Sequence, residues 1–226
     1  MKKIILCLFI ACLCACSAPQ ISEPVPTPEE IDVPGTLNLP VKEIPESTLM
    51  SKSPITPKNL DDYMFRNDCV YLDTRYPYQF YQEGAVAGFM NLPFYEYIAD
   101  FNKETDALFT ITKKTLEDGS VILPGNPGSF EANYEESEEL IKDLIPKGKN
   151  ILVIATAGVE SSYFLNLLIQ LGYDPSMLYN VGSFTTGMGD DIAYRSYENA
   201  KYIIPPMELY ETKITYNWEN LTPIKD

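Results

Sequence analysis

Thiol chemistry is the first reactivity that the residue types of this chain suggest, and the number and placement of its cysteines limit it. Four of the five cysteines, Cys7, Cys12, Cys14 and Cys16, lie within the first sixteen residues, and the fifth is Cys69. The chain contains no histidine, so a nucleophile activated by a histidine base and a metal site built on imidazole are both excluded. Beyond residue 16 the single cysteine can form neither an internal disulfide nor a zinc site by itself.

The four N-terminal cysteines belong to a segment whose order of residue types predicts export and lipidation. Two lysines precede an apolar run, residues 4–16, which is too short to span a bilayer as a helix. The run ends in Leu-Cys-Ala-Cys at residues 13–16 and resembles the bacterial lipobox, with Cys16 as the lipidated cysteine and Cys12 as the alternative. Residues 1–16 are therefore expected to act as a lipoprotein signal peptide. Acyl chains such as palmitate on Cys16 would anchor the chain in the cell membrane, with the rest facing outside the cytoplasm.

Composition separates a spacer from a globular part and limits the partners of both. Nine of the 18 prolines precede residue 58, and residues 17–50 predict an extended, Pro-rich tether. The net charge of −15 becomes −17 when the N-terminal lysine pair is removed, and such a surface repels nucleic acid and anionic lipid headgroups. Nucleic acid is thus excluded as a partner. The hydrophobic fraction of 45% is typical of a globular domain.

Residues 51–200 predict a single domain in which strands and helices alternate. Short apolar runs are typical of strands buried on both faces, whereas apolar residues three and four positions apart are typical of helices. Thr56 followed by Pro57 is a typical start of a further helix. Strands that alternate with helices indicate an α/β fold with a parallel sheet and crossover helices. The apolar runs lie at 69–72, 151–154 and 177–181, and the helical spacing lies at 136–144 and 164–171.

The segment after the first strand contains polar residues and glycines at a recognisable spacing. An Asp-x-Arg triplet is followed by two glycines, an asparagine and a proline, spaced as in a Gly-His-Ile-x-Gly-Ala-x-Asn-Ile-Pro segment. This pattern resembles that of rhodanese-like domains. The residues that carry the resemblance are Asp73, Arg75, Phe80, Gly84, Gly88, Asn91 and Pro93, with Ala85 at the histidine position.

A second block, residues 151–171, resembles the strand, active-site loop and helix of the same family. The family loop usually reads Cys-x-x-Gly-x-Arg-Ser. In this chain an alanine stands at the cysteine position and a glutamate at the arginine position, while the glycine and the serine fit. The loop consists of Ala155, Thr156, Ala157, Gly158, Val159, Glu160 and Ser161.

The resemblance covers residues 53–190 and implies a rhodanese-like three-layer fold, in which a central parallel sheet is flanked by helices. Residues 94–135 are predicted to be an insertion, because this part of the chain is longer than in the family. Residues 201–226 are predicted to be a C-terminal extension. By the same resemblance, Asp73 and Arg75 are expected to form a structural ion pair rather than a catalytic pair.

The resemblance also implies a reaction, and the loop lacks the groups that this reaction needs. In the family a thiolate takes sulfur from a donor such as thiosulfate, and backbone N–H groups at a helix N-terminus cradle the product. Ala155 cannot carry sulfur, and Glu160 opposes the binding of an anion. Thr156 has no histidine to activate its hydroxyl. No catalytic residue, cofactor or metal is therefore predicted.

Three functions remain open from the sequence. We expect a membrane-anchored, extracytoplasmic rhodanese-like module that binds or scaffolds without catalysis. Its partners would be membrane lipid through Cys16, together with an envelope protein or a small polar ligand. The alternative is a sulfurtransferase-type enzyme that uses Cys69 or another group, although a cysteine at the start of a buried strand is typically an inert core residue. A structural subunit of an envelope complex is the third function.

Overall fold

The computed structural model describes residues 38–103, 106–112, 117, 129–187, 193–206 and 218–224. The predicted signal peptide with Cys16 lies outside the described residues, as do residues 17–37 of the predicted tether and parts of the predicted insertion and C-terminal extension. None of the described helices combines the length and the apolar composition that crossing a membrane requires.

Short strands and three α-helices make up most of the regular structure of the described residues. The strands are β1 (Cys69–Asp73), β2 (Ala85–Val86), β3 (Met90–Asn91), β4 (Ala99–Asp100), β5 (Phe109–Thr112), β6 (Ser129–Ala132), β7 (Asn150–Ala155), β8 (Leu178–Ser183) and β9 (Ile203–Ile204). The helices are α1 (Pro77–Glu83), α2 (Ser137–Leu144) and α3 (Val159–Gln170). A π-helical turn lies at Phe94–Ile98, and 3-10 turns lie at Met50–Lys52, Leu60–Tyr63, Pro175–Met177, Tyr194–Ser196 and Trp218–Asn220.

Four strands form a parallel central sheet in the order β3, β1, β7, β8. β1 and β7 run in register, with Cys69 opposite Asn150 and Asp73 opposite Ile154. β7 pairs with β8 on its other side, and α3 connects the two strands, as parallel neighbours require a crossover. The predicted α/β architecture with a central parallel sheet is confirmed.

Side chains of the central sheet alternate between two buried cores, one on each face. Ile151 and Val153 of β7 belong to the core that includes α3. Leu152 and Ile154 belong to the other core, which includes Leu60 from the segment before β1. A strand buried on both faces is apolar at every position. This explains why a continuous apolar run predicted β7 correctly.

The two longer helices differ in how much of their surface is buried. Phe164 and Leu165, on different sides of α3, are both fully buried, as expected for a helix that is apolar nearly all round. α2 is amphipathic: Ile141 is buried, whereas Lys142 and Glu138 form an ion pair of 2.8 Å on the solvent side. Both helices lie where the apolar spacing predicted them.

The helix predicted from Thr56 and Pro57 is replaced by the short 3-10 turn at Leu60–Tyr63, so that prediction was wrong. Asn59 provides the physical reason. Its side chain accepts the backbone N–H of Thr56 at 2.8 Å and donates to the carbonyl of Pro54 at 3.0 Å. These bonds close a local turn in place of α-helical pairing, as asparagine does when it competes with the helix backbone.

The described parts of residues 94–135 form the π-helical turn and a second, three-stranded sheet of β4, β5 and β6. Phe94, Phe109 and Phe130 pack into the core beside α3. The side-chain amide of Gln170 accepts the N–H of Phe130 at 2.9 Å and donates to its carbonyl at 2.6 Å, which covers the outer edge of β6. The C-terminal extension contributes β9, which pairs antiparallel with β2.

Candidate functional site

The loop between β7 and α3 lies at the carboxyl end of the central sheet, where open parallel sheets bind their ligands. β7 ends at Ala155, which is fully buried, and α3 begins at Val159. Gly158 precedes the helix with a φ of +79°, a left-handed conformation that other L-residues adopt only at a cost. The loop is therefore a tight connection from a buried strand to a helix N-terminus.

Residues 38–52, which we call the N-terminal strap, contact this loop. Asn180 of β8 is buried, and its side chain donates to the carbonyl of Gly158 at 2.8 Å and to the carbonyl of Thr48 at 3.0 Å. Met50 lies so close that a Cβ atom on Gly158 would be 2.9 Å from its Sδ atom. The amide of Asn180 therefore ties together the loop, β8 and the strap.

Further bonds fix the strap to α3 and to the turn before β8. Thr48 Oγ1 lies 2.8 Å from Ser162 Oγ and accepts a hydrogen bond from Asn166 Nδ2 at 2.7 Å. Lys42 donates through Nζ to the carbonyl of Pro175 at 3.0 Å, and burial lowers the pKa of this amine to about 8. The strap, which includes the end of the predicted tether, is thus bonded to the domain at several points.

Two hydroxyl groups join the carboxyl end of the sheet to α1. Thr156 donates through Oγ1 to Oε1 of Gln79 at 3.2 Å, and Thr185 donates to a carboxylate oxygen of Glu83. The backbone N–H of Thr185 also donates to the carbonyl of Thr156 at 3.3 Å. Because an amide oxygen is not a base, the hydroxyl of Thr156 is held in place but not activated as a nucleophile.

Asp73 and Arg75 follow β1 and are closed off from solvent. Arg75 Nη2 lies 2.7 Å from Asp73 Oδ2, and both side chains are 0% exposed. The guanidinium also donates to the carbonyl of Gly84 at 2.8 Å, and its Cζ atom lies 3.8 Å from the ring centroid of Phe184. Because both side chains are buried, this ion pair cannot contact a ligand. Its geometry indicates a structural role for both residues.

Glu160, in the first turn of α3, carries a carboxylate whose charge the fold leaves uncompensated. Its Oε2 atom is inaccessible to solvent and has no hydrogen-bond donor within reach among the described residues. Burial raises the pKa of Glu160, a hydrogen bond from its own backbone N–H opposes the rise, and the charge of Asp73 adds to it. None of the ion pairs between described residues includes Glu160. An anionic ligand at this point would be repelled by the carboxylate of Glu160.

Aromatic rings border the loop on the side of Glu160. Tyr163 lies one turn further along α3, so it shares a helix face with this carboxylate. Its ring contacts those of Tyr95 and Phe101, with centroid distances of 6.3 Å and 5.9 Å. We define the aromatic face by five rings in two groups: Tyr95, Phe101 and Tyr163, which contact one another, and the stacked pair Tyr76 and Tyr78, of which Tyr76 interacts electrostatically with Tyr95.

Tyr76 and Tyr78 join the aromatic face from the start of α1. Their rings stack with centroids 5.8 Å apart, and the two residues are 37% and 59% exposed. Sequence reasoning missed both of them and also missed Tyr163. The one available signal was the spacing of three between Glu160 and Tyr163, which places them on the same face of a helix.

Cys69 lies at the amino end of the central sheet, away from the loop. It pairs with Asn150, and Ala155 lies five residues further along β7, which is about 16 Å at the rise of a strand. The thiol donates to Asp68 Oδ1 at 3.4 Å, and burial, followed by the charge of Asp68, raises the pKa of Cys69 to about 11. Cys69 is therefore protonated at neutral pH. Within the described ranges no group of three or more candidate metal ligands occurs.

Comparisons with protein-family models, with curated proteins and with solved structures give no match to this chain. The residues with unusual environments lie at the carboxyl end of the central sheet. At that end a buried methyl group, an uncompensated carboxylate and an aromatic face meet around one loop.

Proposed function

We propose that this chain is a membrane-anchored, extracytoplasmic lipoprotein whose rhodanese-like domain binds a ligand or partner without catalysing sulfur transfer. One observation carries the proposal. Ala155, which stands where the family has its sulfur-carrying cysteine, is a buried residue at the end of β7 and the start of the loop. A methyl group cannot become a thiolate or hold a persulfide, so the reaction of the family has no starting point here.

The surroundings of the family motifs support the finer, rhodanese-like description of the fold. Asn91 at the end of β3 donates through Nδ2 to the carbonyl of Arg75 at 2.8 Å and to that of Asp73 at 3.1 Å. The motif asparagine thus holds the turn that carries the motif ion pair. Gly158 likewise occupies the left-handed position before α3. The membrane anchor rests on the lipobox at residues 13–16.

A sulfurtransferase that uses Cys69 is the second candidate, because this residue is the one thiol beyond residue 16. Two observations weigh against it. Cys69 lies at the opposite end of the sheet from the loop, and its raised pKa leaves little thiolate at neutral pH.

Restoring the residues of the family tests the proposal. In a Cys69→Ser background, Ala155→Cys combined with Glu160→Arg returns a thiol and a positive charge to the loop. We expect this variant to take up one sulfur atom from thiosulfate: the thiolate attacks the outer sulfur, the S–S bond breaks and sulfite leaves. Peptide mass analysis would locate the sulfur on the substituted residue 155. The Cys69→Ser protein is the matched control and should gain no sulfur in its domain.

Two results would contradict the proposal. A folded variant that takes up no sulfur would argue against the rhodanese-like geometry, and a wild-type chain that takes up sulfur on Cys69 would argue against a non-catalytic module. Circular dichroism checks that each variant is folded. If the charge change unfolds the domain, Ala155→Cys alone replaces it, because this substitution adds only a thiol at the buried position.

A further inference from the structure

We infer that the loop after β7 binds a small organic cation, a protonated or quaternary amine, held between the carboxylate of Glu160 and the aromatic face. This inference rests on the proposed binding function and names the chemical class of the ligand. The ligand class is opposite in charge to the anions that the loop of the resembling family cradles.

Three carboxylates act on the same part of the aromatic face. Glu160 shares a face of α3 with Tyr163, whose ring contacts that of Phe101, the residue after Asp100. Burial raises the pKa of the Tyr76 hydroxyl, and the charges of Asp100, Glu160 and Glu96 raise it further. None of the ion pairs between described residues includes any of these carboxylates. The electrostatic potential at this surface is therefore negative, which attracts cations and repels anions.

The aromatic rings supply the second attraction and select an organic cation over a metal ion. Tyr76, Tyr78 and Phe101 are 37%, 59% and 43% exposed, so ring surface is open to solvent next to the carboxylates. The negative face of an aromatic ring attracts an ammonium group, and the methyl or methylene groups around the nitrogen cover the ring surface. A bare metal ion would instead need a cluster of oxygen ligands, and no cluster of three or more candidate ligands occurs among the described residues.

The environment of Glu160 favours an occupied site over an empty one. Its Oε2 atom is excluded from solvent and receives no hydrogen bond from the described residues, so part of the carboxylate charge is unsatisfied. In a setting of low effective dielectric constant, a nearby cation interacts with such a charge more strongly than it would in water. A bound ammonium group would thus offset the unfavourable burial of Glu160.

Tetramethylammonium provides a direct test. The full chain in a neutral detergent is titrated with tetramethylammonium chloride at constant ionic strength while NMR follows the backbone amides. The uncharged probe tert-butanol, which has a similar shape, is the control ligand. We expect saturable shifts at the loop and at the start of α1 for tetramethylammonium only.

Variants then identify the groups that hold the cation. We expect Glu160→Gln to weaken binding at least about fivefold and Tyr76→Leu to weaken it about twofold to fivefold. The matched control is Glu139→Gln, which removes an exposed carboxylate from α2 and should leave the affinity unchanged.

Several results would overturn the inference. Equal affinity of the wild type and Glu160→Gln would do so, as would an equal response to tert-butanol. Saturable binding of thiosulfate at the same amides, without binding of tetramethylammonium, would also overturn it, while the proposed binding function would stand with an anionic ligand. Sulfur uptake by the wild-type chain would instead overturn the proposed function itself.

Discussion

Two opposing electrostatic effects meet at Glu160. A carboxylate in the first turn of a helix is ordinarily stabilised by the helix dipole, which lowers its pKa. Burial and the nearby charge of Asp73 act in the opposite direction, and the pKa of Glu160 is raised. Burial therefore outweighs the hydrogen bond from the backbone N–H of Glu160 that opposes it, and the ionised side chain lowers the stability of the folded chain.

Replacement of Glu160 by glutamine is accordingly expected to stabilise the folded chain at neutral pH. Because its pKa is raised on folding, the folded chain binds the proton of this carboxyl more tightly than the unfolded chain does. The contribution of Glu160 to stability is greatest below the ordinary glutamate pKa and falls as the pH rises through the raised value. We expect Glu160→Gln to raise Tm at pH 7 by about 2–4 °C, the shift that about 1 kcal/mol produces in a domain of this size.

Thermal unfolding at neutral and at acidic pH measures this difference. Below about pH 4 the carboxyl is protonated in both states, so the effect of the substitution should largely disappear. Glu139→Gln, at an exposed position of α2, is the control and should change Tm little at either pH. A loss of stability at pH 7, or a gain that does not depend on pH, would count against this explanation.

The sequence shows directly which catalytic groups the loop lacks. It does not show which distant residues contact the loop. The alanine at 155 and the glutamate at 160 are read directly from the sequence, and both limit the chemistry of the loop. Asn180 and Met50 hold the same loop from distant parts of the chain. No local pattern marks such contacts, because they exist only once the strap, β8 and the loop are brought together by folding.

At the scale of structural elements, the N-terminal strap and the loop after β7 are held together by hydrogen bonds and by packing. The strap is bonded to β8 through Asn180 and to α3 through Thr48. Met50 fills the space beside Gly158, where no side chain stands in the way. The conformation of the loop therefore depends on a segment that precedes the domain in the sequence.

Two alanine substitutions measure how closely the strap presses on the loop. Gly158 and Gly148 both have a positive φ, +79° and +86°, so alanine at either position carries the cost of a left-handed backbone, about 1 kcal/mol. A Cβ atom at 158 would meet Met50 Sδ at 2.9 Å, whereas one at 148 would have nothing within 4 Å. We expect Gly158→Ala to lower the free energy of unfolding by about 1–2 kcal/mol more than Gly148→Ala does.

Urea unfolding of both variants gives the comparison. Met50→Ala should remove most of the excess cost of Gly158→Ala, because the two residues are in contact and their effects are not additive. Equal losses in the two glycine variants, or full additivity with Met50→Ala, would show that the strap does not press on the loop.

Element prediction succeeded where burial decides the structure and failed where side-chain hydrogen bonds decide it. The run from Ile151 to Ile154 is buried on both faces and forms β7 as predicted. Thr56 and Pro57 have the residue types of a helix start, yet Asn59 bonds to the backbone around it and limits the segment to a 3-10 turn. Helix-start signals compete with such local bonds, and the sequence alone does not show which of them prevails.

The direction of the parallel sheet separates the thiol from the loop at the scale of the whole molecule. All four strands of the central sheet point the same way, so their carboxyl ends form one edge and their amino ends form the other. Cys69 lies at the amino edge, whereas Ala155 and Glu160 lie at the carboxyl edge. Sulfur transfer of the kind that the resembling family performs needs a thiolate and a cradle for anions in one place, and this chain keeps the thiol away from the loop.

Thiocyanate formation from thiosulfate and cyanide is the measurement that tests the proposal of a non-catalytic module most directly. The wild-type chain and its Cys69→Ser variant are assayed side by side, so that any role of the one thiol in the domain is visible. We expect both proteins to form thiocyanate no faster than the uncatalysed reaction. Turnover by the wild type that the Cys69→Ser variant loses would contradict the proposal and identify Cys69 as a sulfur carrier.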